Sequence, residues 1–386
     1  MAEYDLVIRG GTVVDGTRLP AFKADVAVAQ GRIARISGTI AGRGKRELDA
    51  SGCIVAPGAV DLHTHYDAQL NWDPYCTLSG WHGVTTLTIG QCGFGFAPCR
   101  PEDRDLNMRM MNRIEAIPYD SMVKGMRWDW ITFPEYLDSL ERQGLGVNVA
   151  SLFPYSPLRA WVLGARAARE RTSVTAAELA QLRALFREGM AAGAFGFSAD
   201  RNLIDRPEDG SFLPTQVASR EEFLALAEVL REFALTDFFS GDEEVLAKLI
   251  AHPYTHISVS DGGAHTRFAV IATWPTHFLA HWVRDKGLMS LEDAHYKISA
   301  LPAWIAGFRD RGLLREGFGA DAIVYEPERL GFVYAEPVFA DDFPGGERRI
   351  IQKARGYRYT IVNGTVTFED GRCTGALPGE LLRSGA

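Results

Sequence analysis

The chain has 386 residues, 46% of them hydrophobic and 23% charged, an ordinary balance for a globular protein with room for one large domain and a small one. A formal net charge of -8 supplies no basic stripe to neutralise phosphates, which excludes nucleic acid as the expected partner and leaves a small-molecule substrate. No apolar run of about 18 residues occurs, and the start Met1-Ala2-Glu3-Tyr4-Asp5 lacks the basic and apolar stretch of a signal peptide, so no membrane partner is expected and the expected location is cytoplasmic.

The first 57 residues read as short strands: Leu6 to Arg9 and Thr12 to Val14 around Gly10-Gly11, then Val26 to Val28 and Ile33 to Ile36. The far end has the same texture, with Ala322 to Tyr325 and a hairpin signal, Asn363-Gly364, inside Tyr359 to Val366. Residues 1–57 and 315–386 are therefore expected to form one β domain. Residues 58–314 alternate short apolar strands with amphipathic helices, the βα pattern of a parallel sheet or barrel. Expected strands run from Ile54 through Leu62, Val84 to Ile89, Val147 to Ala150, Ala194 to Phe197 and His256 to Ser260. Thr175 with Glu178, Ser219 with Glu222, and Ser290 with Asp293 have capping-box spacing at helix starts. The Ser219 helix has Phe223, Leu226, Leu230 and Phe233 on one face. The polar, Met-rich region 97–142 breaks the rhythm and reads as an insertion over the barrel mouth, where loops commonly line substrates. About five strand-helix units are countable where a closed barrel needs eight, and the rhythm fails near 234–241.

His63 and His65 stand at i and i+2 on a strand, so both rings point to one side at its C-terminal end, where barrel active sites sit. Two polar loop histidines are the plainer alternative. The preceding Pro57 to Asp61 tips the balance to a metal pair, and Asp61 can hold a ligand histidine in place from behind. The five cysteines, Cys53, Cys76, Cys92, Cys99 and Cys373, have no CxxC spacing, which argues against a disulfide framework or a zinc finger. Cys92 alone follows a strand on a glycine-lined turn, Gly90-Gln91-Cys92-Gly93, where a thiolate can bridge two metal ions; a lone buried cysteine is otherwise a small hydrophobe. Asp261, at the end of the last expected strand, can hold a metal and accept a proton from water, or serve only as a turn residue. His265 and Arg267 lie just beyond it, and the arginine fork suits a carboxylate as well as it suits a surface ion pair. The other histidines, His82, His252, His256, His277, His281 and His295, share no defensible face.

In this order the motifs resemble the metal-dependent amidohydrolase superfamily, and within it the N-acyl-D-amino-acid deacylase (D-aminoacylase) branch. The resemblance covers nearly the whole chain. It rests on Tyr4 to Gly16, Pro57 to His65, Gly83-Val84-Thr85-Thr86, Gly90-Gln91-Cys92-Gly93, Ser260-Asp261 and Phe318 to Val324. It implies a TIM-like (β/α) barrel, incomplete here, with a small β-sandwich built from both termini. It implies one or two zinc ions held by His63, His65 and Cys92, with Asp261 as metal ligand and general base. It also implies that Arg267, with His265, meets the carboxylate of an N-acyl-D-amino acid, although the loop from Asp261 to Arg267 is shorter than usual. Family members are longer and carry two further histidine ligands on the fifth and sixth strands, so the resemblance points to a missing segment near 234–241; an intact mass near 42.5 kDa would exclude its omission from the sequence. The expected activity is hydrolysis of a linear amide. The alternatives are a cyclic-amide hydrolase of the dihydroorotase or hydantoinase kind, separable by assay, and a non-catalytic scaffold, separable by zinc content. A homo-oligomer is left open.

Overall fold

The protein is represented by a computed structural model that describes residues 2–170, 172–229, 243–253 and 255–385. The expected break at 234–241, with Leu230 and Phe233, lies outside the described residues. No described helix is long and apolar enough to cross a membrane.

Both chain ends contribute to one nine-stranded sheet. Tyr4–Val13 pairs antiparallel with Phe22–Ala29, which pairs with Arg32–Ser37; on its other side Tyr4–Val13 pairs parallel with Ile54–Pro57 and Gly44–Asp49. The ends meet where Ile54–Pro57 lies antiparallel to Ala322–Tyr325, with Ala56 opposite Ile323. Tyr357–Val362 and Thr365–Glu369 follow. Alternate residues of these strands, among them Leu6, Ile8, Val26, Val28, Val55, Val324 and Ile361, fill a common core, each contributing roughly 1.5–3 kcal/mol by leaving water. The two short strands expected around Gly10-Gly11 are a single strand with a register shift between Ile8 and Gly11, because Gly10 takes a left-handed φ of 68° that bulges the ladder without ending it. Asn363 and Gly364 both adopt positive φ, which closes the expected two-residue hairpin.

The next strands belong to a βα arc. Ala59–Asp61, Val84–Ile89 and Asn148–Ser151 form a parallel ladder, buried on both faces. Phe153–Pro154 pairs parallel with Phe197–Ser198 and extends it. On the opposite flank, 256–262 runs alongside the first strand: Leu62 N–H donates to Ser258 O (2.9 Å), Asp261 N–H to His63 O (3.0 Å), and Thr64 bridges Gly262 in parallel. The expected strand His256 to Ser260 is thus in place, yet too sparsely hydrogen-bonded to count as regular strand.

Helices cover the arc. Ala176–Ala191 and Arg220–Ala227 begin with the capping boxes read from Thr175/Glu178 and Ser219/Glu222, and the Ser290 side chain caps Leu291–His295. The Met-rich region is helical, with Arg104–Ile114, Tyr119–Gly125 and Phe133–Gln143. Its Met108, Met111, Met122 and Met126 are buried among barrel residues, and Thr132 with Glu135 forms a third capping box.

Candidate metal centre

The Ala59–Asp61 strand ends in His63 and His65 because the chain beyond Asp61 stays extended between two neighbours. Thr88 Oγ1 donates to Leu62 O (2.5 Å), Thr64 Oγ1 donates to Thr88 O (2.6 Å), and Gln91 Nε2 donates to Leu62 O (2.6 Å). With one residue between them, the two imidazoles fall on the same side, ring centroids 5.4 Å apart.

Cys92 joins them from the turn after Val84–Ile89. Gly90 (φ 77°) and Gly93 (φ 73°) permit this turn, and Cys92 itself is left-handed at φ 54°. A Cβ on Gly90 would lie 2.3 Å from Leu152 O, so the position admits only glycine without rearrangement. The turn is clamped from several sides: Gly90 N–H donates to Asp67 Oδ1 (3.0 Å), Gly93 N–H donates to Ser198 Oγ (2.8 Å), and Ser198 Oγ donates to Gly90 O. The Cys92 Sγ then lies 3.4 Å from His63 Nε2. One ligand atom each from His63, His65 and Cys92 falls within 4.8 Å of the others.

Asp261 completes the group from the far flank, its Oδ1 3.2 Å from His63 Nε2 and 3.7 Å from His65 Nε2. It too is left-handed (φ 50°), as is His265 (φ 56°); left-handed non-glycine backbone at Cys92, Asp261 and His265 stores local strain at the site. Burial, reinforced by the charges of His63 and His265, holds His65 well below the usual imidazole range, so its ring is neutral and free to ligate.

Asp61 is fully buried. Its carboxylate accepts the Trp274 indole N–H (3.0 Å) and the His63 backbone N–H (3.3 Å), so it holds the histidine-bearing backbone. Burial pushes its carboxyl up to about 6 against those hydrogen bonds and that of Ser260. His265 reaches the site by its backbone N–H, which donates to Glu115 O (2.6 Å), and its Nε2 lies 3.6 Å from Glu115 Oε2. Arg267 is not brought into the group: its guanidinium pairs with Glu347 at 3.3 Å, about two-fifths exposed.

Two buried carboxylates were not singled out in the sequence. Glu115, at the end of the Arg104–Ile114 helix, is 4% exposed and lies 3.8 Å from His65 Nε2; burial, then the charge of Asp261, pushes its carboxyl up to about 8. Asp67, two residues beyond His65, supports the Cys92 turn and is pushed up to about 7 by burial. The local signal for Asp67 is its two-residue offset from the histidine pair; Glu115 has none, because tertiary packing alone brings its helix there. Of the remaining histidines, His82 and His295 are buried against Thr276 with Gln352, and Tyr325; His277 stacks on His281.

The donor set, two imidazoles, a thiol and a carboxylate oxygen converging on one point, fits a zinc ion, whose ligands are nitrogen, sulfur and oxygen in a small cluster. The donor set lies at the C-terminal ends of parallel strands, where barrel active sites sit. The chain belongs to the amidohydrolase family, whose sequence profile, described as Amidohydrolase family, matches residues 46–244 and 244–368. The chain is 26% identical over 509 aligned positions to an N-acyl-D-aspartate deacylase from Alcaligenes xylosoxydans xylosoxydans, covering 100% of this chain and 96% of that protein. It is 33% identical over 228 residues to a D-aminoacylase from the same organism, which is 59% of this chain and 42% of that one. An uncharacterized Mycobacterium tuberculosis protein is 35% identical over 237 residues, 59% of this chain and 38% of that protein, so the chain spans well under half the length of some curated relatives it matches. The fold is that of a solved D-aminoacylase (TM-score 0.76, 22% identity, 98% of this chain and 100% of that one) and of an N-acyl-D-glutamate deacylase from Bordetella bronchiseptica solved with zinc and a phosphonate inhibitor (TM-score 0.75, 22% identity, 99% and 100%). This fold includes the barrel and β domain expected from the sequence.

Proposed function

We propose that this protein is a zinc-dependent amidohydrolase that cleaves a linear amide, removing the acyl group from N-acyl-D-amino acids. The observation that carries the reading is the convergence of His63, His65 and Cys92 ligand atoms within 4.8 Å, with Asp261 Oδ1 at 3.2 and 3.7 Å from the two rings. The names of the deacylase relatives support the substrate class. His63, His65, Cys92 and Asp261 would hold the ion. When bound, zinc supplies Lewis-acid polarisation of a carbonyl and lowers the pKa of water.

The protein's own groups do the rest. Asp261, near the end of the 256–262 segment and about one-quarter exposed, takes the proton from attacking water and passes it to the leaving amine. His65 stays neutral. Asp61 and Trp274 fix the backbone that aims both histidines.

Asp261→Asn keeps the shape and removes the proton acceptor. Turnover of N-acetyl-D-amino acids by the zinc-loaded variant should fall by roughly 10²–10⁴-fold, with Tm within a few degrees of the parent. Parent-like turnover would refute that role, and hydrolysis of hydantoins in preference to N-acetyl-D-amino acids would refute the substrate class.

A further inference from the structure

A second group of imidazoles and a carboxylate lies apart from the His63 centre, between two helices. Residues 274–285 are helical, Trp274–His277 passing into the wider π-helical turns of Phe278–Asp285. Phe278, Leu279, Trp282 and Val283 of this stretch are buried in the core, which leaves His277 and His281, four residues apart, together on the outer face. Their rings stack, centroids 4.9 Å apart and planes 17° from parallel. Glu243, first residue of the Glu243–Ala251 helix, meets the pair from the side with its Oε1 3.2 Å from His281 Nε2. That helix is anchored in turn, Leu246, Ala247 and Ile250 packing on the same core. The backbones of all three residues are therefore held, while their partly exposed side chains are free to turn.

Two imidazoles at i and i+4 with a carboxylate from a facing helix suit a divalent transition ion. The spacing brings both ring nitrogens within reach of one ion, and nickel, copper and zinc accept imidazole nitrogen where magnesium and calcium call for oxygen. Partial burial, then the neighbouring His281, lowers the pKa of His277, so this ring is neutral and able to ligate at pH 7. The donor atoms do not already converge as those of His63, His65 and Cys92 do. The rings lie face to face, and Lys286 Nζ sits 3.4 Å from the same Glu243 oxygen. An ion enters when the imidazoles swing about their own torsions and the lysine leaves, with no shift of backbone.

We propose that His277, His281 and Glu243 form a second transition-metal site, and that an ion held there staples the Glu243–Ala251 helix to the 274–285 helix. Both helices adjoin the active centre's less regular side. The first leads into the sparsely hydrogen-bonded segment 256–262 that carries Asp261, and the second begins at Trp274, whose indole N–H donates to Asp61. With three partly exposed donors, His281 about one-third and Glu243 about three-fifths exposed, the site holds its ion more loosely than the four-donor centre at His63.

The test is equilibrium dialysis of the zinc-loaded protein against nickel chloride, with both metals counted by mass spectrometry. The parent should take up one nickel per chain while keeping its zinc, and its Tm should rise by a few degrees at saturation. His277→Ala and His281→Ala should each weaken uptake by at least the roughly tenfold that losing a mere supporting partner costs a metal site, and Glu243→Gln several-fold, with zinc retained in all three. Lys286→Met frees the Glu243 carboxylate and should tighten uptake several-fold, a gain that damaged folding cannot mimic. Magnesium at the same concentration should neither compete nor raise Tm. No nickel beyond that exchanged for zinc, or parent-like uptake by both histidine variants, would overturn the proposal. Nickel lost in His63→Ala and kept in His281→Ala would do so too, by assigning it to the other centre. The comparison of variants holds whether or not the His63 centre is filled.

Discussion

The two flanks of the metal centre are built differently. On one, residues 59–154 form a continuous parallel ladder whose strands are buried on both faces, and His63, His65 and Cys92 emerge from its ends. On the other, the described residues of 195–275 offer a two-residue strand, one isolated bridge to Thr64, the helices Arg220–Ala227 and Glu243–Ala251, and loops with Leu203, Ile204 and Phe268 largely in solvent. The first flank is a scaffold whose ladder positions the backbone of His63 and His65, with a clamped left-handed turn presenting Cys92. The second places Asp261 through a turn of left-handed residues, Asp261 and His265, which cost free energy and are retained where geometry matters more than stability.

Equivalent substitutions on the two sides should therefore differ in effect. Gly90→Ala on the ladder side forces a side chain into a left-handed residue (φ 77°) with Leu152 O 2.3 Å from the new Cβ, and should cost roughly 2–5 kcal/mol in denaturant unfolding; a loss under 1 kcal/mol would show that the turn is soft. The acid limb of stability probes how the ladder flank packs against the segments behind it. His82, buried between Thr276 and Gln352, is held down to about 4 from 6.5 by burial. Its folded pKa lies below its unfolded one, so the stability tied to the neutral ring is present above pH 6.5 and is lost as pH falls to about 4, amounting to about 3 kcal/mol. His82→Gln should flatten that part of the unfolding free energy against pH, and an unchanged slope would contradict the assignment. The smallest effect is expected from Gly210→Ala, also left-handed (φ 73°) but in open space. It should change stability by no more than about 1 kcal/mol, and a loss equal to that of Gly90→Ala would erase the distinction between the flanks.

The ladder side was largely legible in the sequence, for the same physical reason. Alternation along a strand is a local property, so the spacing of His63 and His65 and the glycines around Cys92 already fix direction and turn. Capping boxes at Thr175 and Ser219, and the simple side-chain cap at Ser290, are legible because they close within four residues. The loop side was legible only in part. Asp261 was marked by its place after an apolar run, but whether Arg267 meets a substrate or Glu347 depends on a contact across 80 residues of chain. Glu115 was invisible because its approach to His65 is made by the packing of a helix whose buried methionines read, in sequence, as part of an irregular insertion.

The central claim is that His63, His65 and Cys92 hold one functional ion, and zinc content measures it most directly. After metal-replete purification and removal of loose ions, the parent should retain about one tightly held zinc per chain, the fourfold N/S/O set being of the kind that binds zinc firmly, while His63→Ala and Cys92→Ser, still folded by circular dichroism, should each fall well below one. A parent holding well under one zinc, or both variants holding as much as the parent, would contradict the account.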